Sequence, residues 1–344
     1  MRKQYYLIAL LICLILLVSA CKSSGSSSGS APRTPFIGGT AGISVNFEKD
    51  SPPPEVTDDA SFAFNAIVRL KNEGEAKVSY NNIKLNLVGF DPSDFGQGFD
   101  QLKDATTDGS QDLDSKKRDA EGNILEGSTA FVTFPKNNDN FIPSKFPGNT
   151  EFTFRADVCY NYMTEANAKL CILRDMINVR DDSICKPTGL GTTGRVVYSS
   201  SAPVQVTNFK QSVIGKDSIS FSFDIVLSGN VDIFWNKEKS MPTTSFDNGC
   251  PRDPKVRRER ENTVGLEITQ ITSNPPILSD VKCGGLDAGT SGVVRLVNGK
   301  RTITCTATLA TDRLDLEKTV SIKLAYNVLD NKETKVLVKH LATT

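Results

Sequence analysis

Apolar and polar residues alternate one for one along segment after segment of this chain, and that period commits most of it to β-structure. In SFAFNAIVRL (61 to 70), Phe62, Phe64, Ala66, Val68 and Leu70 fall on one face. A two-residue period belongs to a strand buried on one side. The same signal recurs in NNIKLNLVGF, STAFVTF, EFTFRADVCYNY, SISFSFDIVL, RTITCTATL and TVSIKLAYNVL, with turn chemistry between them at Asn72-Glu73-Gly74, Asp91-Pro92, Pro147-Gly148-Asn149 and Asn298-Gly299. Helical periodicity is scarce, and RLDLEK (313 to 318) offers a turn or two at most. Short strands separated by Gly, Pro and Asn turns predict an all-β chain of antiparallel sandwiches.

An internal repeat predicts how many. RADVCYNYMTEANAKLCI (155 to 172) aligns without gaps on SIKLAYNVLDNKETKVLV (321 to 338), placing Tyr160-Asn161 on Tyr326-Asn327 and Lys169 on Lys335. Each copy reads as a strand, a polar turn and a returning strand, with the first turn centred on Glu165. A looser echo links FNAIVRLKNEGEAKV (64 to 78) with FSFDIVLSGNVDIF (221 to 234). The expectation is two tandem sandwich domains, 36–206 with a polar insertion at 91–127, and 207–344.

The N-terminal segment predicts the compartment. Arg2 and Lys3 precede an apolar stretch from Tyr5 to Leu17, followed by Ser19, Ala20 and Cys21. Charge, apolar core and small residues in that order make residues 1–20 a secretory signal, shorter in its apolar part than the roughly 20 residues that span a bilayer. Val18-Ser19-Ala20-Cys21 resembles the lipobox of prokaryotic lipoproteins, in which the cysteine is acylated and becomes the mature N-terminus. That resemblance implies lipidation at Cys21; an uncleaved signal anchor is the other reading, and both put the remainder outside the cytoplasm. Residues 21–35 then form a Ser/Gly-rich tether whose composition is that of a flexible coil.

FNAIVRLKNEGEAKVSYNNIKLNL (64 to 87) is similar to the early strands of CARDB-type and related immunoglobulin-like modules, where an apolar strand leads through an Asn-x-Gly turn to a second strand. Such modules occur in prokaryotic surface proteins, in adhesion or as spacers. The resemblance implies an immunoglobulin-like surface module and brings no functional residues with it.

Six further cysteines, Cys159, Cys171, Cys185, Cys250, Cys283 and Cys305, are an even set in an exported chain, and none is spaced CxxC. They predict structural disulfides. A hairpin turning at Glu165 would set Cys159 opposite Cys171; Cys171 with Cys185 is equally open. Cys283 with Cys305 is the preferred pair in the second domain, and Cys185 with Cys250 would then cross the domain boundary.

Forty Lys and Arg balance forty Asp and Glu, which argues against a nucleic-acid partner. The single histidine, His340, leaves little for His-based triads, zinc sites or proton shuttles. The insertion is rich in aspartate (Asp91, Asp94, Asp100, Asp104, Asp108, Asp112, Asp114, Asp119), but a calcium loop starting at Asp112 meets Lys116 at its third ligand position and no glycine at its sixth. No metal or cofactor is expected. The run Lys255 to Glu261 reads as an exposed loop, and Trp235 as a core or interdomain contact. The chain thus reads as a non-enzymatic, lipid-anchored protein of the cell envelope with an adhesive, structural or assembly role toward other surface proteins or glycans. An alternative is a glycan- or peptide-binding or hydrolytic module with its site in the 91–127 or 236–263 loops.

Overall fold

The alternating segments form strands with the apolar side inward, except that Phe62, expected on the buried face of SFAFNAIVRL, precedes the strand there and is 41% exposed. In the computed structural model Ala66, Val68 and Leu70 are buried while Arg69 between them is exposed, and Ile303, Cys305, Ala307 and Leu309 alternate with exposed threonines. The structure describes residues 34–60, 62–188, 195–236, 249–269, 277–286 and 289–341. The signal segment, Cys21 and the tether up to residue 33 lie outside the described residues.

In chain order the strands are β1 (Ile43–Phe47), β2 (Glu55–Thr57), β3 (Ala66–Asn72), β4 (Ile83–Val88), β5 (Lys117–Arg118), β6 (Ile124–Leu125), β7 (Thr129–Phe134) and β8 (Thr150–Ile172), followed by β9 (Val197–Ser199), β10 (Val204–Gly215), β11 (Ser218–Leu227) and β12 (Asp232–Phe234). Helix α1 (Pro254–Arg260) precedes β13 (Thr263–Thr269), β14 (Leu278–Cys283), β15 (Ser291–Arg295), β16 (Lys300–Leu309) and β17 (Leu316–Lys339). One sheet runs β1-β3-β7, a second β10-β11-β16-β14, and a third runs β15-β13-β17-β8-β4 with β2, β9 and β12 added at its margins. The chain is all-β and antiparallel throughout apart from the short parallel pairing of β2 with β17.

The two repeat copies are not hairpins. Each is one uninterrupted strand, 23 residues in β8 and 24 in β17, and the two pair with each other along their length. The polar stretch 164 to 169, taken as a turn, keeps the period of two: Thr164, Ala166 and Ala168 are buried, while Glu165 and Asn167 face outward. The neighbouring strand supplies the backbone partners that a return strand would have given.

The register carries the duplication further. Asn161 lies opposite its own repeat equivalent, Asn327, so the two copies are related by a local twofold through that pair. Around it β4 lies beside β8 as β13 lies beside β17, and β1-β3-β7 has the same order as β10-β11-β16. The aligned tyrosines even share a job: the Tyr160 hydroxyl accepts the Ile43 N–H of β1 at 3.4 Å, and the Tyr326 hydroxyl accepts the Val204 N–H of β10 at 3.2 Å. Two topologically equivalent halves therefore share one sheet. The expected boundary at 206/207 falls inside β10, and Pro35–Thr344 forms one compact unit.

The Asn72-Glu73-Gly74 turn forms as expected. Asn72 accepts the Gly74 N–H at 3.1 Å and donates to the Ala76 and Leu113 carbonyls. A side chain at Gly74 would meet the Tyr162 hydroxyl at 2.0 Å and the Ala41 carbonyl at 2.5 Å, so the close approach of sheet to turn requires glycine. The 91–127 insertion is more than a polar loop: Phe95, Leu102, Ala105 and Leu113 are buried, and Phe95 packs within a cluster containing Phe64, Phe90, Phe141 and Phe154.

Candidate ligand-binding face at the bridged seam

The six described cysteines form three disulfides. Cys283–Cys305 is the expected pair, from facing positions on β14 and β16. Cys171–Cys185 is the second of the two pairings open for Cys171. Cys159 bonds Cys250, which replaces both the Cys159–Cys171 hairpin bridge and the Cys185–Cys250 bridge. The reason is the continuous β8: at about 3.3 Å per residue, Cys159 and Cys171 stand tens of ångströms apart on one strand, beyond reach of any disulfide.

Cys159 and Asn161 point away from the tyrosine side of the shared sheet, so the Cys159–Cys250 bond pins the excursion between β12 and β13 to its outer face. In that excursion 255 to 260 is helical, not the exposed loop expected of Lys255 to Glu261. Asp253 accepts the Lys255 and Val256 N–H groups at 3.0 Å, and Pro254 starts the helix, both favourable N-terminal choices. Arg295 closes the other end by donating to the Arg258, Glu259 and Glu261 carbonyls. Arg257 is committed inward, to the Asp232 carboxylate at 2.6 Å and over the Phe234 ring at 5.1 Å. Trp235 is 3% exposed, a packing residue as expected, and its Nε1 has no hydrogen-bond partner among the described residues.

The bridge also brings together the two loop regions that the sequence offered separately. Lys84 on β4 lies opposite Cys159, and the far edge of β4 carries residues 102 to 105 through Leu87 N–H to Leu102 O and Leu85 N–H to Ala105 O, both 2.8 Å. Asn86 accepts the Asp104 N–H at 2.9 Å. Arg252, two residues past Cys250, is exposed. Asp100 binds Lys103 and raises its pKa. Lys136 donates to the Lys103 carbonyl at 2.9 Å, and Gln101 accepts from the Asn137 amide at 3.3 Å. Gln97 donates to Asp139 and to the Asn140 carbonyl. Phe99 projects from the short turn Phe99–Gln101 and is 71% exposed. Sequence reading weighed this stretch for its carboxylates and passed over the ring; its one signal was an aromatic residue isolated in the polar string QGFDQLK.

Several other acidic residues of the insertion are spent on structure. Asp108 accepts from the Thr133 N–H and hydroxyl, and Asp119 from the Gly122 and Asn123 N–H groups. Asp112 and Asp114 both pair with Lys77, and the Tyr80 N–H followed by Lys77 holds the Asp112 pKa below its ordinary value. Among the described residues no three His, Cys, Asp or Glu side chains converge as a metal ion would require, and no helix among them is long and apolar enough to cross a membrane.

No family model and no curated protein matches this chain. Among solved structures, the secreted serine protease VesC from Vibrio cholerae aligns over 83% of this chain and 51% of its own length, at 8% identity and a TM-score of 0.17. The chain spans about half the length of that protein. A likeness this slight carries no argument about fold or activity.

Proposed function

We propose that this chain is a non-enzymatic surface lipoprotein, anchored through acylated Cys21 on the extracytoplasmic face of a membrane, whose two immunoglobulin-like halves, joined through one shared sheet, act in adhesion or in assembly of the envelope. The observation that carries the reading is the complete pairing of all six described cysteines, the state expected in an oxidising compartment. The signal-like start and the lipobox resemblance support an anchor at the same end as the Ser/Gly-rich tether. A sheet shared by two halves and bridged across its seam is suited to bearing load or presenting a surface.

Intact mass of the native protein, with and without reduction, tests the reading. It requires a chain that begins at acylated Cys21 and gains six hydrogens when the three bridges are reduced. A full-length, unmodified chain with free thiols overturns it.

A further inference from the structure

Exposed aliphatic side chains gather at one end of the fold. Ile177, Ile184, Val196, Ile214 and Leu314 are each 59–65% exposed, and their segments meet around the end of β8 at Ile172. Arg313 ties three of these segments together: it donates to the Leu173 and Arg174 carbonyls, just before Ile177, and to the Lys216 carbonyl, two residues past Ile214, and Leu314 follows it directly. Gln211 accepts the Cys171 N–H at 2.8 Å and donates to its carbonyl at 2.7 Å, so Ile214 lies at or beyond the last residues of β8. Ile184 is held there by the Cys171–Cys185 bond, and Val196 by Arg195, which binds Glu317 at 2.7 Å. Aliphatic surface left in water marks a contact face, and on so tied a support it loses little freedom when covered.

Where the chain enters the fold names what covers this end. The Ile37 and Gly38 N–H groups donate to Glu75, which also accepts the Ser201 N–H, and a Cβ on Gly38 would lie 3.6 Å from the Ser199 carbonyl oxygen. Ser199 in turn faces Ala166, six residues short of Ile172 and sixteen past Thr150. At about 3.3 Å per residue, the point of entry is about 20 Å from the aliphatic end of β8 and about 50 Å from the other. Fourteen residues, 22–35, separate Cys21 from Phe36. A Ser/Gly-rich chain of that length reaches on the order of 20 Å as a coil and about 50 Å drawn straight. An anchor at Cys21 therefore brings the aliphatic end to a bilayer at its ordinary reach, and the opposite end only at full stretch. Charge agrees: Arg313 with Asp217, Arg195 with Glu317, Arg180 with Asp182 and Lys186 with Asp181 are ion pairs, so this end suits zwitterionic headgroups without calling for anionic lipid.

We propose that the end of the fold around Arg313 rests on the bilayer that holds the Cys21 anchor, with Ile177, Ile184, Val196, Ile214 and Leu314 entering the boundary between headgroups and acyl chains. The proposal rests on the lipoprotein reading and fixes which end of the fold faces the membrane. The Phe99 end, carried on β4 through Leu87 N–H to Leu102 O at the level of Ala156, is then held away from the lipid.

The test is tryptophan fluorescence of the protein purified in its native acylated form and reconstituted in phosphatidylcholine vesicles with brominated acyl chains. Trp235, the single tryptophan, is buried and gives a constant background. Ile177→Trp and Leu314→Trp should each add emission that shifts to the blue and is quenched by the brominated lipid, with no need for anionic lipid, whereas Phe99→Trp should show neither effect. Ile177→Asp with Leu314→Asp should release an Ile184→Trp reporter from quenching. All these positions are at the surface, and unchanged circular dichroism and melting confirm folding. Reporters at 177 and 314 that stay as unquenched as Phe99→Trp, in protein whose intact mass carries the lipid, overturn the inference and leave the lipoprotein reading standing. Quenching of Phe99→Trp instead puts the opposite end on the membrane and overturns it too. A blue shift without quenching that grows with protein density means a second copy covers this end, and the bilayer is wrong. An intact mass without lipid overturns the lipoprotein reading and the inference with it.

Discussion

Asn161 and Asn327 face each other on the outer side of the shared sheet, both nearly buried, and are joined by a 3.0 Å hydrogen bond between their amides. Because each is the other's repeat equivalent, a single substitution leaves its twin unpaired where water does not reach. Asn161→Leu should cost about 1–3 kcal/mol in denaturant unfolding, and Asn161→Leu with Asn327→Leu should recover much of that loss. Asp58 makes a pH-dependent counterpart. Its buried carboxylate accepts the Leu341 N–H at 2.9 Å and the Phe146 N–H at 3.0 Å, with His340 Nδ1 at 2.7 Å. The Leu341 N–H first and His340 second hold its pKa down to about 2, against an ordinary 3.8. A depressed carboxylate contributes stability that is present above the ordinary value and lost as pH falls through the folded one. Melting temperature should therefore drop between pH 4 and pH 2 in the wild type, and Asp58→Asn should show less of that drop and a lower plateau near neutrality. Sequence could propose neither pair: Asn161–Asn327 was visible as an alignment match and not as a contact, and His340 was read only for the chemistry one histidine excludes.

At the scale of elements, three connections meet at the end of the shared sheet where β8 stops and β17 begins. Arg313, buried among them, donates to the Leu173, Arg174, Lys216 and Ala310 carbonyls and to the Asp217 carboxylate. Methionine of similar length leaves those acceptors short of a donor, so Arg313→Met should destabilise the protein by about 3 kcal/mol or more and expose the 173–186 segment to limited proteolysis. Strands such as β3, β11 and β16 were legible because burial on one face writes itself directly as period two. The centre of β8 was not, because Glu, Ala and Lys at 165 to 169 are poor strand formers taken locally. Pairing with β17 on one edge, and with β4 and β9 on the other, overrides that local preference. Helix α1 was missed for the opposite reason: seven residues without an apolar stripe give no periodic signal, and its ends are secured by Asp253 and the distant Arg295.

For the whole molecule, the Cys159–Cys250 bridge closes 91 residues and joins the two halves, whereas Cys171–Cys185 closes 14 within one. In the chain-entropy picture the longer closure removes more freedom from the unfolded chain, so Cys159→Ser with Cys250→Ser should destabilise by roughly 1–2 kcal/mol more than Cys171→Ser with Cys185→Ser. Equilibrium unfolding of the two double variants measures the difference. By itself the sequence determined that the chain is all-β, where most strands run and that the chain is internally duplicated; Cys283 with Cys305 was a preference that the structure decided. These follow from local periodicity, turn chemistry and self-similarity, all of which act over a few residues or along one alignment. Only the tertiary structure decided that the duplicated segments pair with each other, that Cys159 reaches Cys250, and that Arg313 gathers three connections at the end of the shared sheet. Each of these depends on which strand lies beside which, a choice made by the burial of a shared sheet and by contacts between residues tens to hundreds of positions apart.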